Sequence, residues 1–388
     1  MESLDKSQQS AGIYIHIPFC RSKCHYCSFY SETDLGHIPD FLKALNIEMD
    51  LYRQIGLSFD TIYIGGGTPS LLSPQQVVGI LDRLTTVFQI SAKVEITMEA
   101  NPADISRNNL RILRKCGINR LNIGIQSFDE QVLQFLGRRH TVHQSIRSIN
   151  DACLAGLDNI GIDLMYGIPG QNLSDWLRSI SKAIDTAVPH LSCYELTVDA
   201  ETHLGRSYAT KEFEQLKSES SLNFFLKTSD MLSDAGYIHY EVSNYARGLT
   251  FKSQHNSRYW KHGNYLGLGP AAHSFYKKRR WWNHRFIASY ISALHHGVQP
   301  IEDSEDLASS QLAREALMLG LRTSAGTNVS DLSQKYGVDF THLERNWLKK
   351  LEQEGFVRLE DGWIRPTVKG LAVADRLALM MDEAILTS

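Results

Sequence analysis

Residues 12–27 read GIYIHIPFCRSKCHYC, and the interpretation of the whole chain starts from this stretch. Its first six residues are rich in β-favouring side chains and stop at a proline, which predicts a strand that ends there. Three cysteines follow within eight residues, Cys20, Cys24 and Cys27, while the other three in the chain are scattered. Clustered cysteines in a chain of 388 residues indicate metal or redox chemistry, not a disulfide framework.

Five further β-rich segments follow, separated by helix-favouring stretches. The predicted strands cover residues 12–17, 59–64, 93–98, 120–125, 160–165 and 191–196. The predicted helices cover residues 39–55, 74–88, 106–115, 141–155 and 173–187. Strands that alternate with helices predict right-handed crossovers and a parallel sheet. Six units are too few for a closed eight-fold barrel, so the predicted fold class is α/β with a partial (β/α)6 barrel.

The chain is predicted to contain four parts. These are a flexible N-terminus at residues 1–10, the barrel at 11–235, a barrel extension rich in aromatic residues and histidines at 236–305, and a winged-helix-like, α-rich C-terminal domain at 306–388. The C-terminal domain is inferred from two helical patterns, at 328–336 and 340–354, followed by a hairpin at 357–366. The second of these helices mixes basic and acidic side chains, so it is a poor phosphate-binding face and favours a packing or protein-docking role.

Bulk properties exclude several classes of protein. The net charge of −3 argues against nucleic acid as a partner for the whole surface. The sequence has no apolar run of about eighteen residues, so stable membrane insertion is not expected. The first ten residues are polar and lack the apolar core of a signal peptide, which predicts a cytoplasmic location.

Unusual residues fall where the predicted strands end. Gly65-Gly66-Gly67-Thr68-Pro69 follows the second strand, Glu99 the third and Gln126 the fourth, while Asp163 lies within the fifth. The carboxyl ends of parallel strands meet at one edge of a barrel, so we expect these residues and the cysteines to form one site.

The cysteine spacing favours an iron–sulfur cluster. Three thiolates in one short loop can each reach one iron of a [4Fe–4S] cubane, which leaves the fourth iron open to a small ligand. A zinc site is the alternative, with His25 or His37 as the fourth ligand. The residues alone leave both open.

Cys20-x3-Cys24-x2-Cys27 at the end of a first barrel strand resembles the signature of the radical S-adenosylmethionine superfamily. The resemblance implies a partial barrel, a [4Fe–4S] cluster and S-adenosylmethionine chelated to the open iron, from which reduction releases a 5′-deoxyadenosyl radical. The match is closer to the branch that contains oxygen-independent coproporphyrinogen III oxidase and the HemW-type heme chaperones. It runs through residues 14–20, 65–69, 99–102, 124–128, 137–138 and 163–170.

This resemblance implies a set of residues that contact S-adenosylmethionine. It assigns no catalytic residue. Gly66, Gly67 and Thr68 would hold the methionine end, and Arg138 would pair with its carboxylate. The complete predicted set is Tyr14, Tyr26, Gly66, Gly67, Thr68, Glu99, Gln126, Arg138 and Asp163.

Two departures separate the chain from the oxidase pattern. The oxidase has a fourth cysteine two residues after the third, where this chain has Phe29, and it has a longer segment before its cluster loop, where nineteen residues precede Cys20 here. Both departures resemble the heme chaperones and argue against decarboxylation of coproporphyrinogen.

His255-Asn256-Ser257-Arg258-Tyr259-Trp260 resembles the HNxxYW motif of HemW-type proteins, where it is associated with heme binding. A neutral imidazole is a common axial ligand of heme iron, so His255 is the predicted heme ligand, with His262 and His273 as alternatives. Arg258 is expected to meet a propionate.

The leading prediction is a heme chaperone that binds heme, a [4Fe–4S] cluster and S-adenosylmethionine, and passes heme to an acceptor protein. The alternatives are a coproporphyrinogen III dehydrogenase and a DNA-binding regulator with an iron–sulfur sensor. Whether the protein is an enzyme, and whether it forms a homodimer, is left open by the sequence.

Overall fold

The computed structural model of the protein describes residues 10–338, 340 and 345–386. The predicted flexible N-terminus therefore lies outside the described residues, except for Ser10. The same holds for residues 341–344 of the predicted second helix in the C-terminal domain.

Strands and helices alternate through the first half of the described chain. The strands are β1 (Ser10–Ile17), β2 (Ser58–Gly66), β3 (Gln89–Ala100), β4 (Arg120–Gln126), β5 (Asn159–Tyr166), β6 (His190–Glu195), β7 (Ile238–Glu241), β8 (Asn244–Ala246), β9 (Asn264–Leu268), β10 (His273–Tyr276), β11 (Arg279–Asn283), β12 (Ile301–Asp306), β13 (Thr327–Asn328), β14 (Val357–Glu360) and β15 (Trp363–Pro366). The helices are α1 (Ile38–Leu51), α2 (Pro74–Val87), α3 (Arg107–Lys115), α4 (Glu130–Phe135), α5 (Val142–Leu154), α6 (Leu173–Asp185), α7 (His203–Ala209), α8 (Ser218–Asp234), α9 (Gln254–Trp260), α10 (Ile287–His295), α11 (Ser309–Gly320), α12 (Val329–Tyr336), α13 (Arg345–Gln353), α14 (Val368–Leu371) and α15 (Ala374–Leu386).

Twelve strands form one sheet in the order β12-β11-β10-β9-β1-β2-β3-β4-β5-β6-β8-β7. Strands β1 to β6 are parallel neighbours, in chain order. Strand β9 joins β1 in parallel and β8 joins β6 antiparallel, so β1 and β6 do not pair and the barrel stays open. The predicted α/β fold with a partial barrel is confirmed, and the sheet continues beyond it on both sides.

Alternation along each strand separates the hydrophobic core from the barrel interior. In β4, Leu121, Ile123 and Ile125 belong to the hydrophobic core, while Arg120 and Gln126 face the interior. This alternation follows from the two-residue period of a strand. The interior is therefore lined by polar side chains, which is where a ligand can be held.

The sequence signals at the helix ends are seen in the structure. The Ser73 hydroxyl caps α2 by accepting a hydrogen bond from the backbone N–H of Gln76, and the side-chain oxygen of Gln76 accepts one from the backbone N–H of Ser73. Pro74 occupies the first turn. Thr141 and Gln144 form the same capping box at α5. These caps fix where the helices begin after their strands.

Helix α9 closes the N-terminal end of the barrel. The Arg258 guanidinium donates to the backbone oxygen of Ser10 (3.1 Å) and to the carboxylate of Asp60, at the starts of β1 and β2. The backbone N–H groups of Gln254 and His255 both donate to Glu95 of β3 (2.9 and 3.1 Å). The HNxxYW segment thus lies across the barrel floor, against the first residues of β1 and β2 and the middle of β3.

The C-terminal residues form a separate small unit with its own core. A three-stranded sheet in the order β13-β15-β14 packs with α11 to α15 around apolar residues that include Leu317, Ile364 and Met381. The unit meets the barrel through backbone hydrogen bonds from Val242 to Arg322 and from Ser324 to Tyr240 (both 3.1 Å). Its helices and hairpin follow the predicted winged-helix order.

Candidate functional site

The barrel interior contains a cavity of about 660 Å³. It runs from the loop after β1 to Arg120 and His190, which begin β4 and β6. A wider groove of about 1400 Å³ lies along α5, and its walls contain none of the predicted site residues. The interior cavity is therefore the candidate site.

The cysteine loop is folded back on itself at the cavity mouth. The backbone of Glu32 donates to Pro18 (2.6 Å), and the backbone of Cys20 donates to Glu32 (2.9 Å), so the loop leaves and returns at one point. Cys20, Cys24 and Cys27 are free thiols, and all three line the cavity.

The donor set fits an iron–sulfur cluster. Within the described residues, no three His, Cys, Asp or Glu side chains are close enough to hold a single metal ion. A cubane does not need such a convergence, since each thiolate binds a different iron. Nη1 of Arg138 lies 3.3 Å from Sγ of Cys24, and the Cys20 sulfur lies 3.3 Å from the Thr68 hydroxyl. A cation and a hydroxyl at these sulfurs compensate the charge that thiolate ligands carry.

The glycines after β2 let the backbone approach the cysteine loop. A Cβ atom on Gly67 would lie 2.6 Å from the carbonyl oxygen of Phe19, and one on Gly66 would lie 2.7 Å from Nδ1 of His16. The backbone N–H groups of Gly67 and Thr68 donate to Ile17 (2.8 Å) and Phe19 (2.7 Å). Only glycine permits this contact, which places the predicted methionine-binding segment directly beside the predicted cluster loop.

Two buried carboxyl groups face the same cavity. Glu99 accepts hydrogen bonds from the Tyr63 hydroxyl (2.7 Å) and from the Gly66 backbone (3.3 Å), and burial raises its pKa to about 7. Asp163 accepts from the Asn122 amide (2.8 Å), and burial raises its pKa as well. Both groups can accept hydrogen bonds from the amine and hydroxyl groups of a nucleotide-like ligand.

Gln126 and Arg138 complete the wall. Gln126 has a φ of 69°, a left-handed conformation that is rare outside glycine, at an irregularity in the β4–β5 register. Its side-chain oxygen accepts from the Tyr194 hydroxyl (2.7 Å). The Arg138 guanidinium also donates to the Gly124 carbonyl (2.6 Å), which aims it at the cavity. A strained backbone conformation such as that of Gln126 is typical of ligand sites, where surrounding hydrogen bonds maintain it.

The structure brings together all but one of the residues predicted to contact S-adenosylmethionine. Tyr14 is the exception, because it lies outside the cavity lining, hydrogen-bonds to His16 (3.1 Å) and stacks on Tyr63 at 6.2 Å between ring centroids. The residues that line the cavity are Tyr26, Gly66, Gly67, Thr68, Glu99, Gln126, Arg138 and Asp163.

Sequence reasoning missed several polar residues of the same walls. The missed residues are Tyr63, Asn122, Tyr194, Arg120 and His190. Asn122 and Arg120 share the alternation of Gln126 along β4, so counting back in steps of two from each predicted strand-end residue would have found them.

His255 lies in the barrel interior with both ring nitrogens hydrogen-bonded. Nδ1 is 2.9 Å from the Thr61 hydroxyl and Nε2 is 2.8 Å from the Tyr259 hydroxyl. The residue is 1% exposed and is not among the cavity-lining residues, whereas Asn256 and Trp260 of the same motif are. Burial lowers the pKa of His255 to about 3, so its ring is neutral.

The other predicted heme contacts are differently placed. Arg258 does not line the cavity, and its guanidinium forms an ion pair with Asp60. The guanidinium that was expected to contact a propionate therefore already has a carboxylate partner. His262 is buried against Phe275, and His273 is exposed beside Trp282.

Comparisons with known proteins agree with this geometry. A family model described as the Radical SAM superfamily matches residues 14–183, and one described as the HemN C-terminal domain matches residues 307–373. Heme chaperone HemW of Bacillus subtilis (strain 168) is 32% identical over 361 residues, which cover 92% of this chain and 95% of that protein. Heme chaperone HemW of Escherichia coli (strain K12) is 38% identical over 267 residues, 68% of this chain and 69% of that protein.

Two further relatives extend the comparison. The mitochondrial radical S-adenosyl methionine domain-containing protein 1 of Bos taurus is 30% identical over 395 residues, 96% of this chain and 87% of that protein. Among solved structures, coproporphyrinogen III oxidase (HemN) from Escherichia coli superposes with a TM-score of 0.82 over 98% of this chain and 91% of that chain. At 21% identity, the similarity to the oxidase structure shows a shared fold and nothing more.

The open barrel with three free cysteines at its mouth, together with the matching family model, defines a radical S-adenosylmethionine protein. Membership of this superfamily implies a [4Fe–4S] cluster and S-adenosylmethionine as cofactors. Because heme chaperone HemW of Bacillus subtilis aligns at 32% identity over 92% of this chain and 95% of its own length, the chain belongs to the HemW heme chaperone family. No helix in the described part of the chain is long and apolar enough to cross a membrane.

Proposed function

We propose that this protein binds heme and transfers it to an acceptor protein, with a [4Fe–4S] cluster and S-adenosylmethionine held at the mouth of the barrel cavity. The observation that carries the proposal is the near full-length match to a heme chaperone, combined with a cavity whose lining includes all three cysteines. The acceptor is a protein with an empty heme site.

Three groups of residues have different roles in the cofactor site. Cys20, Cys24 and Cys27 ligate three irons of the cluster. The backbone of Gly66, Gly67 and Thr68 and the guanidinium of Arg138 hold the amino-acid end of S-adenosylmethionine, and Glu99, Gln126 and Asp163 accept or donate hydrogen bonds along the rest of it. When bound and reduced, the cluster and S-adenosylmethionine supply one-electron chemistry.

His255 stays our predicted heme ligand, and its surroundings set a condition for that role. A ring nitrogen can bind iron only after the hydroxyl of Thr61 or Tyr259 releases it. Since His255 does not line the cavity and α9 is bound to β1, β2 and β3, heme binding through His255 requires this helix to shift.

The direct test is anaerobic reconstitution followed by hemin titration, with and without S-adenosylmethionine. We expect saturable hemin binding with a shifted Soret band, and delivery of that hemin to an apo-hemoprotein such as apomyoglobin. Cys24→Ala should lose the cluster absorbance and keep hemin binding, and Cys153→Ala, an exposed cysteine on α5, is the matched control. Absence of saturable hemin binding by the wild type would refute the proposal.

Coproporphyrinogen III dehydrogenase activity is the second candidate, because the oxidase shares this fold over almost the entire chain. Phe29, which replaces the oxidase's fourth cysteine, is 68% exposed at the cavity mouth and offers no thiolate. We therefore expect no protoporphyrinogen when the reconstituted protein is incubated with coproporphyrinogen III, S-adenosylmethionine and a reductant. Formation of that product over many turnovers would replace the chaperone proposal.

A further inference from the structure

Arg120 occupies the closed end of the barrel cavity. It begins β4, its side chain is 1% exposed, and it lines the same cavity as the cysteine loop. Gln126 in the S-adenosylmethionine wall lies six positions farther along β4, about 20 Å along the strand. The closed end therefore lies deeper in the same cavity and adjoins the cofactor site through Asn122 and Asp163.

The Arg120 guanidinium has no carboxylate counter-ion in direct contact. It takes part in no ion pair with any of the described residues, and its Nε atom is buried without a hydrogen-bond partner. Glu95 and Asp163 feel its positive charge from farther away, which lowers their pKa values against the larger effect of burial. A fully buried, unpaired guanidinium costs free energy unless a ligand supplies the missing acceptor.

A second buried nitrogen near Arg120 also lacks a partner. It is Nδ1 of His190, whose Nε2 contacts the Tyr240 hydroxyl (2.8 Å). The indole nitrogen of Trp260, elsewhere in the cavity lining, is likewise buried without a partner. The closed end therefore presents unsatisfied nitrogens, of which the guanidinium is an obligate donor.

Gly161 keeps the space between these groups open. A Cβ atom at this position would lie 2.6 Å from the side-chain oxygen of Asn122, 3.1 Å from Nδ1 of His190 and 3.5 Å from Nη2 of Arg120. The absence of that atom leaves room at the point on which the three side chains converge.

The neighbouring carboxyl groups are committed elsewhere. Asp163 accepts from Asn122, and Glu241 accepts from Ser243 and Asn244. Oε1 of Glu95 accepts two backbone N–H groups from α9, while its Oε2 is buried without a hydrogen-bond partner and forms no ion pair with Arg120. Burial raises the pKa of all three, so they stay protonated to higher pH than exposed carboxyl groups. Arg120 is therefore left without a close anion from the protein.

We propose that the closed end of the cavity binds the carboxylate of a ligand, with Arg120 as its counter-ion. A carboxylate is an acceptor only, and its two oxygens match the fork of a guanidinium. A porphyrin propionate is one source of this group, and in that respect the inference rests on the proposed heme function. A small aliphatic dicarboxylate is the other source.

The first test compares hemin with hemin dimethyl ester, which lacks free carboxylates, on the reconstituted protein. We expect the wild type to bind hemin at least tenfold more tightly than the ester, and Arg120→Met to lose at least tenfold in hemin affinity while its ester affinity changes less than twofold. Arg147→Met, at a 74% exposed position on α5, should behave as wild type. An equal loss for both ligands in Arg120→Met would show a structural role and overturn the proposal.

The melting temperature of the ligand-free protein distinguishes a ligand-binding role of Arg120 from a structural one. Removal of an unpaired buried cation should leave the melting temperature of the ligand-free protein unchanged or raised, whereas a structural cation should lower it. If Arg120→Met does not fold, Arg120→Lys keeps the charge without the fork. If Arg120 anchors a carboxylate, the Arg120→Lys protein should show a smaller preference for hemin over the ester than the wild type. An unchanged preference contradicts the proposal.

The second test uses glutarate as a small carboxylate probe. A rise in melting temperature in the wild type that is absent in Arg120→Met supports the site and identifies a small carboxylate as sufficient. If hemin does not bind the wild type, the proposed function fails, and the glutarate result still decides the carboxylate site. If hemin binds with no preference over its ester and glutarate has no Arg120-dependent effect, the carboxylate site is wrong and the heme function stands.

Discussion

At the scale of single residues, glycines determine how close the segment after β2 comes to the cysteine loop. Gly66 has a φ of 107°, and the backbone N–H groups of Gly67 and Thr68 donate to Ile17 and Phe19, on either side of Pro18. The geometry of the cofactor site thus depends on two missing Cβ atoms as well as on the side chains that line it.

Gly67→Ala should therefore impair cluster assembly. Its Cβ would meet a carbonyl oxygen that belongs to the backbone of the cysteine loop and has little freedom to move, so we expect lower iron content and a loss of about 1–3 kcal/mol in unfolding free energy. Iron analysis and urea denaturation measure both. Gly79→Ala is the control, since nothing lies within 4 Å of its Cβ position on the exposed side of α2, and it should stabilise by about 0.5–1 kcal/mol. Full iron content in Gly67→Ala would show that the loop tolerates the displacement.

The sequence revealed those site residues that stand at strand ends or within a recognisable motif. Glu99, Gln126 and Asp163 were found this way, and the cavity contains them. Arg120 and His190 are not predicted, because a polar residue at the start of a strand usually lies on the surface, and only the tertiary packing around the open barrel buries these two.

At the scale of elements, local patterns predicted the six barrel strands and the helices between them. Their apolar periodicity is strong, and their ends carry caps, prolines and glycines. Helix α9 shows the limit of such patterns, because its seven residues have one apolar period at most. Its position is set by Asp60 and Glu95, which are more than 150 residues away in sequence.

The contacts of α9 give a prediction about heme ligation. Tyr259→Phe removes the hydroxyl that occupies Nε2 of His255, so hemin affinity should rise severalfold if that nitrogen binds iron, and His255→Ala should lose affinity. A Soret titration measures both variants.

Tyr237→Phe is the matched control for Tyr259→Phe, since its buried hydroxyl donates to Val188 (2.6 Å) and has no contact with α9. If hemin affinity is unchanged in both Tyr259→Phe and His255→Ala, the heme ligand lies elsewhere in the protein.

At the scale of the whole molecule, one buried carboxyl joins the barrel to its extension. Glu48 of α1 accepts hydrogen bonds from the Tyr290 hydroxyl (2.6 Å), the Gly269 backbone (2.8 Å) and the Asn283 amide (2.6 Å). These partners come from α10, β11 and the turn after β9, so a single side chain holds three elements against the first helix.

The stability of this joint should depend on pH. Burial raises the pKa of Glu48 to about 7 from an ordinary value of 4.5, so the folded state holds a proton that the unfolded state releases between these values. The contribution of Glu48 to stability is therefore largest below pH 4.5 and declines as the pH rises to 7.

Compared with Glu48→Gln, the wild type should lose on the order of 3 kcal/mol of unfolding free energy between pH 5 and pH 8. Urea denaturation of both proteins at the two pH values measures the change. A difference between the two proteins that is the same at pH 5 and pH 8 would contradict the raised pKa.

The position of β1 in the sheet also bears on how the protein is made. Its partner on one side, β9, begins roughly 250 residues later in the chain, and Ile15 pairs with Leu268. During synthesis the strand that carries the cysteines therefore keeps one edge uncovered until about two-thirds of the polypeptide has left the ribosome. Before that moment, the strand that supports the cysteine loop is paired along one edge only. We therefore expect the cluster to be assembled after β9 has been translated.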